Sequence, residues 1–214
     1  MNVLFQDKHI LVVNKPARIV TEGPDHNKRD SLEKQLIARL EQVLWPCHRL
    51  DRDTTGAIIF AKSKSGKACI AKQFEKRQVR KSYLVCVHGE WQPEWNRVET
   101  HIARTTSGKM ANTNRGKRSI TTFRKLAFWN GKSLLEALVK TGRRHQIRLH
   151  CLHHQCPILG DRIYGKRAVN DPPMALHARQ IRFRHPSTEA GLTVDASLPD
   201  YWHNHWLKDC PINI

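Results

Sequence analysis

Acidic residues are scarce in this chain. Against 37 lysines and arginines stand 19 aspartates and glutamates, leaving a formal charge of +18 at pH 7 and a pI near 10.1. A balance so one-sided describes what the surface meets, not how the chain folds. It points to a polyanion, nucleic acid above all, as the partner, since each Lys or Arg that meets a phosphate releases a condensed counterion. No apolar run approaches the ~18 residues of a transmembrane helix, so no membrane partner is expected. The opening MNVLFQDKHILVVNKP lacks the charged, apolar, small-residue order of a signal peptide. The six cysteines, Cys47, Cys69, Cys86, Cys151, Cys156 and Cys210, are therefore expected as free thiols in the cytoplasm. There is no P-loop, no Rossmann glycine pattern and no serine nucleophile elbow, which leaves no nucleotide cofactor to expect. Internal repeats and linker-like tracts are also missing. One domain over residues 1–214 is expected.

What is present reads as many strands and few helices. Residues 3–5 and 10–14 predict two short strands around a polar turn. Ser31 precedes an amphipathic stretch, Leu32, Leu36, Ile37, Leu40 and Leu44, that predicts a helix stopped by Pro46. Strands are expected at 57–61, 83–87, 98–103, 119–128, 133–139, 175–184 and 192–194, and helices at 63–78 and 143–153. Together these give an α+β fold with a mixed, largely antiparallel sheet and flanking helices.

The charge is not evenly spread. Between Thr100 and Gly160 the only carboxylate is Glu136, whereas the same span holds twelve lysines and arginines. Solvated helical faces usually mix signs; a long stretch of one sign repels itself and calls for an anionic partner. The polar loop 104–118, with Arg115, Lys117 and Arg118, is expected to be a phosphate-contacting arm that orders on binding. Asp51 and Asp53 form an acidic island between basic stretches. A carboxylate facing a phosphate-binding surface weakens binding. Asp51 therefore either pairs with an arginine or does chemistry.

The segment HRLDRDTTG, residues 48–56, resembles the HRLDxxTSG signature of the RluA-like pseudouridine synthases, with Thr55 in place of the usual serine. Further blocks follow in that family's order: VVNKP at 12–16, KSY at 81–83, TGRRHQIRLH at 141–150, PILGD at 157–161 and LHA at 176–178. The resemblance covers roughly residues 3–195 and so implies a core at about 3–195 with a C-terminal extension at about 196–214. It implies a catalytic domain with a central cleft. It implies no S4-type RNA-binding domain before it, because the core begins almost at residue 1.

By the same resemblance the chain is an isomerase that detaches uracil from its ribose, rotates it and rejoins it through C5, without cofactor or metal. Asp51 would be the catalytic carboxylate, acting either as a covalent nucleophile or on a ribose proton. Arg148 would pair with it, because a nearby guanidinium favours the ionised form. Tyr83 would stack on the base and take the C5 proton. Arg49 would fill the space left by the flipped base. Substrate contacts are expected from His48, Thr54, Thr55, Arg143, Arg144, His145 and Gln146 as well as the arm. The partner is expected to be a stem-loop of ribosomal RNA or tRNA, recognised by shape. The protein is expected to be a monomer without an obligatory protein partner.

Charge alone supports a second reading, a non-catalytic RNA-binding or chaperone protein on the same fold. A nuclease using His48, Asp51 and His145 is a third, without the clustered carboxylates of a two-metal site. The run HCLHHQC at 150–156 has zinc-like spacings. No second Cys/His pair lies at a finger distance, so no metal is expected. The C-terminal aromatics Tyr201, Trp202 and Trp206 are expected to pack on the core rather than stack on RNA.

Overall fold

The computed structural model describes residues 2–24, 30–165 and 171–214. Its elements are, in order, β1 (Asn2–Gln6), β2 (Ile10–Lys15), α1 (Leu32–Leu40), β3 (Trp45–Pro46), β4 (Thr55–Ala61), α2 (Lys64–Glu75), β5 (Arg80–His88), β6 (Trp95–Arg104), β7 (Met110–Asn112), β8 (Lys117–Trp129), β9 (Lys132–Val139), α3 (Gln146–His153), β10 (Leu176–Arg184) and β11 (Gly191–Asp195). A short π-helical turn, Trp202–Trp206, follows. This is the α+β architecture expected from the sequence. The chain divides into two compact units, Met1–Lys81 with Ala178–Leu198, and Ser82–His177 with Pro199–Ile214.

In the first unit β1 pairs with β2, β2 with β4, β3 with β4 and β10 with β11, all antiparallel. β2 and β4 are apolar on both faces, and every residue of β4 is buried. Ile10, Val12, Ala57, Ile59, Ile70, Ile181, Phe183 and Val194 make the core. Both helices begin on a serine. Ser31 accepts from the Lys34 N–H, and Ser63 accepts from the Gly66 N–H, each satisfying an amide that the first turn leaves without a partner. α1 ends at Leu40, short of the expected Leu44, because Glu41 enters the left-handed region at φ 50°. Gly56 opens the apolar run of β4 at φ 112°, and a Cβ there would stand 2.3 Å from the Ala178 carbonyl oxygen. Only glycine allows the strands to come that close.

In the second unit β5, β9, β8, β6 and β7 lie side by side, antiparallel throughout. β8 and β9 form a hairpin through Asn130 and Gly131, both at positive φ. Trp91 is fully buried, with ring centroids of Phe123 and His154 each 4.6 Å away. Trp202 and Trp206 are buried in this unit too. The Trp206 indole N–H donates to the Pro173 carbonyl at 3.0 Å. The tail therefore packs on the core, as expected. Its residues Pro199–Ile214 fall in the second unit.

The arm differs from its expectation. Met110–Asn112 is already a strand, paired with Ile102, Ala103 and Arg104 of β6. Thr105 N–H donates to the Lys109 carbonyl at 2.8 Å and closes the tip. A Cβ on Gly116 would fall 2.4 Å from the Ile102 backbone, so the returning chain is pressed against β6. The arm is thus a built hairpin, with order of its own.

Candidate functional site

Asp51 lies in the first unit on the turn between Leu50 and β4. Leu50 is buried and anchors the turn from one side. Its N–H and carbonyl both bond the Thr21 hydroxyl at 3.2 Å. Thr54 N–H donates to the Asp51 carbonyl at 3.1 Å and closes the turn. The Asp51 side chain is half-buried, with Arg49 exposed beside it. Arg49 Nη1 stands 4.0 Å from Glu22, a loose contact that screening makes weak.

Beneath this turn sits a fully buried lysine. Lys15 Nζ donates to the carbonyls of Pro16 at 2.9 Å, Ile19 at 2.8 Å and Arg52 at 3.1 Å. All three ammonium hydrogens are thereby used, and the bond to Arg52 fastens the residue next to Asp51. Burial pushes the Lys15 amine down to about 7, although Asp53 and Asp51 pull it upward. In the sequence Lys15 stands in the VVNKP block without an assigned role.

Arg148 belongs to the second unit. It is 6% exposed and bound in two-point geometry by Asp161: Nε donates to Oδ2 and Nη2 to Oδ1, each at 2.7 Å. Asp161 Oδ1 also accepts from the N–H groups of Ile163 and Tyr164. Burial alone would raise the Asp161 carboxyl, but the Arg148 guanidinium and these two amides hold it below the usual carboxylate range. The Arg148 Cζ is 5.0 Å from the Tyr164 ring centroid, a cation–π distance. Asp161 stood in the PILGD block without an assigned role, since its partner is 13 residues away.

Tyr83 is half-buried on β5, opposite Ala137 of β9. Arg144 is exposed. Arg143 donates from Nε to the Arg118 carbonyl at 3.2 Å and so ties the start of the α3 turn to the arm. Arg115, Lys117 and Arg118 project outward on the arm, as do Arg104 and Lys109. Glu99, whose nearest cation is Arg118, also takes an Arg97 contact of 2.6 Å.

Several residues expected at the substrate are engaged inside the protein. Gln146 is 4% exposed. Its Oε1 accepts from the Thr141 hydroxyl and Arg143 N–H, and its Nε2 donates to the Ile120 carbonyl and Thr121 hydroxyl. Both lone pairs and both hydrogens are used, so Gln146 holds the TGRRH turn against β8 and keeps nothing for a ligand. His48 Nε2 accepts from the Ile59 N–H at 3.2 Å. Burial, with help from Lys81, pushes the imidazole down to about 3, so it is neutral. Thr54 and Thr55 are buried, and the Thr54 hydroxyl has no hydrogen-bond partner among the described residues. In the HCLHHQC run, His150 is buried and bonds Thr100, Ser119 and Thr121, while His154 packs on Trp91. Among the described residues no group of three or more His, Cys, Asp or Glu side chains is placed to hold a metal. No helix among them is long and apolar enough to cross a membrane.

The model of the RNA pseudouridylate synthase family matches residues 9–153, in both units. Ribosomal large subunit pseudouridine synthase C of Buchnera aphidicola subsp. Schizaphis graminum is 33% identical over 217 residues, covering 95% of this chain and 69% of that protein. Ribosomal large subunit pseudouridine synthase D of Nitrosomonas europaea is 32% identical, covering 94% of this chain and 62% of that protein. Among solved structures, Human RNA Pseudouridylate Synthase Domain Containing 1 superposes with a TM-score of 0.77 at 27% identity, covering 92% of this chain and 83% of that one. Human RNA Pseudouridylate Synthase Domain Containing 4 gives 0.75 at 28%, covering 94% and 90%. The chain belongs to the RluA-like RNA pseudouridylate synthase family, and it is an RNA pseudouridine synthase, an isomerase that acts on RNA.

Proposed function

We propose that this enzyme converts specific uridines of ribosomal RNA to pseudouridine, with Asp51 as the reacting carboxylate. In the reaction the C1′–N1 bond breaks, the base turns, a C1′–C5 bond forms, C5 loses its proton and N1 gains one. Asp51 acts at the sugar–base junction. Arg148 supplies the permanent cation that keeps that carboxylate ionised. Tyr83 faces the base and takes the C5 proton, and Arg49 fills the gap that flipping leaves in the RNA. The arm and Arg144 hold phosphates, which gives affinity, while the shape of the RNA selects the site.

The observation that carries this reading is the Asp51 turn itself. A half-buried carboxylate on a chain of charge +18 is held in place through Leu50, Thr54 and the buried Lys15. The ribosomal target rests on the names of the two bacterial relatives; tRNA is the second substrate class. The protein is proposed to work as a monomer in the cytoplasm.

Mapping pseudouridine by carbodiimide-dependent primer stops tests this. RNA from a deletion strain should gain a stop at one or a few uridines after incubation with wild type and none with Asp51→Ala. The same stops with Asp51→Ala would overturn the assignment and favour a role in RNA binding alone.

A further inference from the structure

Tyr164 lies in no motif singled out in the sequence, yet three parts of its unit meet on it. Its N–H donates to Asp161 Oδ1 at 3.1 Å. Its ring packs against the Arg148 guanidinium. Its hydroxyl donates to the Met110 carbonyl at 3.0 Å and stands 2.8 Å from His145 Nδ1. A phenol has one hydrogen to give, and a carbonyl can only accept. The hydrogen therefore goes to Met110, and His145 must carry a proton on Nδ1 and donate it to the Tyr164 oxygen.

The two groups joined by this hydroxyl belong to different parts of the site. Met110 opens β7, the strand that pairs with β6 to build the basic arm. His145 sits at φ 58° at the head of α3, three residues before Arg148. The other edge of Arg148 is fixed by Asp161. One side chain thus touches the short middle strand of the basic arm, the residue that starts the α3 helix, and the guanidinium itself.

We propose that Tyr164 is a positioning residue that couples the basic arm to Arg148, holding the arm strand with its hydroxyl and the guanidinium with its ring face. The proposal rests on the reading of Arg148 as part of the active site. It separates two functions on one side chain: the hydroxyl sets where the arm meets RNA, and the ring sets the plane of the guanidinium.

Two variants separate those functions. Tyr164→Phe keeps the ring and removes the hydroxyl; Tyr164→Leu removes both. Binding and turnover are measured on an unmodified transcript of large-subunit ribosomal RNA, with thermal unfolding as the control for folding. Tyr164→Phe should raise Kd about fivefold, the weight of one hydrogen bond, with kcat within twofold of wild type. Tyr164→Leu should show the same rise in Kd and at least a tenfold further fall in kcat. Wild-type Kd in Tyr164→Phe, or equal kcat in the two variants, would overturn the coupling. Arg148→Lys is the parallel control. If it turns over as fast as wild type, the assignment of Arg148 fails instead, and the Kd of Tyr164→Phe still decides whether the hydroxyl holds the arm.

Discussion

The two units each bury a cation, and they satisfy it in opposite ways. Lys15 gives its three hydrogens to neutral backbone carbonyls, and burial brings its amine down to about 7. Arg148 gives two hydrogens to one carboxylate, and a guanidinium stays charged at any pH a folded protein meets. The lysine is a fastener satisfied by neutral acceptors alone. The arginine is a fixed charge with a fixed plane. The difference suits them to different work: Lys15 fastens the residue next to Asp51, and Arg148 carries the fixed charge in the role proposed for it.

Removing half of the ionic pair should have the largest effect. Asp161→Ala leaves a buried guanidinium without its carboxylate and should cost about 3–5 kcal/mol in urea unfolding. Replacing both partners at once, with Arg148→Met and Asp161→Leu, should recover much of that stability while abolishing turnover. If the double variant were as unstable as the single one, the pair would matter for packing more than for charge.

Lys15→Met should cost less, about 1–3 kcal/mol, because it strands carbonyls without stranding a charge. It should also change the pH dependence. Folded Lys15 releases its proton near pH 7, whereas an unfolded lysine keeps it to about pH 10.4. Between those values the unfolded chain binds the extra proton, so this group makes stability rise with pH across that window and leaves it flat below. Unfolding curves at pH 6, 8 and 9.5 should show a smaller rise in Lys15→Met than in wild type, most clearly between pH 6 and 8, since Lys81, lowered by burial to about 8, adds its own rise above that.

The arm should contribute affinity and almost no stability. Lys117→Gln or Arg115→Gln should each lower the slope of log K against log salt by about 0.7–0.9, with unfolding moved by no more than about 0.5 kcal/mol. Thr54→Val should do least. It replaces a buried hydroxyl lacking a partner among the described residues with a methyl, so stability should hold or rise slightly. Turnover near wild type would confirm that Thr54 lies beneath the Asp51 turn and not at the substrate.

Much of this was legible in the sequence. The strands at β2, β4 and β5 announce themselves as apolar, β-branched runs, and both serine caps stand where the helices begin. The motif blocks carry residue choices that geometry restricts, as at Gly56, where a side chain would meet the Ala178 backbone. What was not legible depends on distance along the chain. Gln146 looks like a surface amide until β8 is placed beside it, 25 residues away. The bond from Tyr164 to Met110 spans 54 residues and leaves no local pattern. β7 is three residues long, too short for any period to register. α3 begins at Gln146 and not at Arg143 because His145 takes a left-handed conformation that no propensity foretells.

The chemistry itself gives the most direct test. Forming pseudouridine breaks the C5–H bond of the target uridine, so RNA labelled with tritium at C5 must release tritium to water once per turnover. Wild type should release it in proportion to the pseudouridine formed, and Asp51→Asn, folded and still binding RNA, should release none. Release by Asp51→Asn at the wild-type rate would contradict the account at its centre.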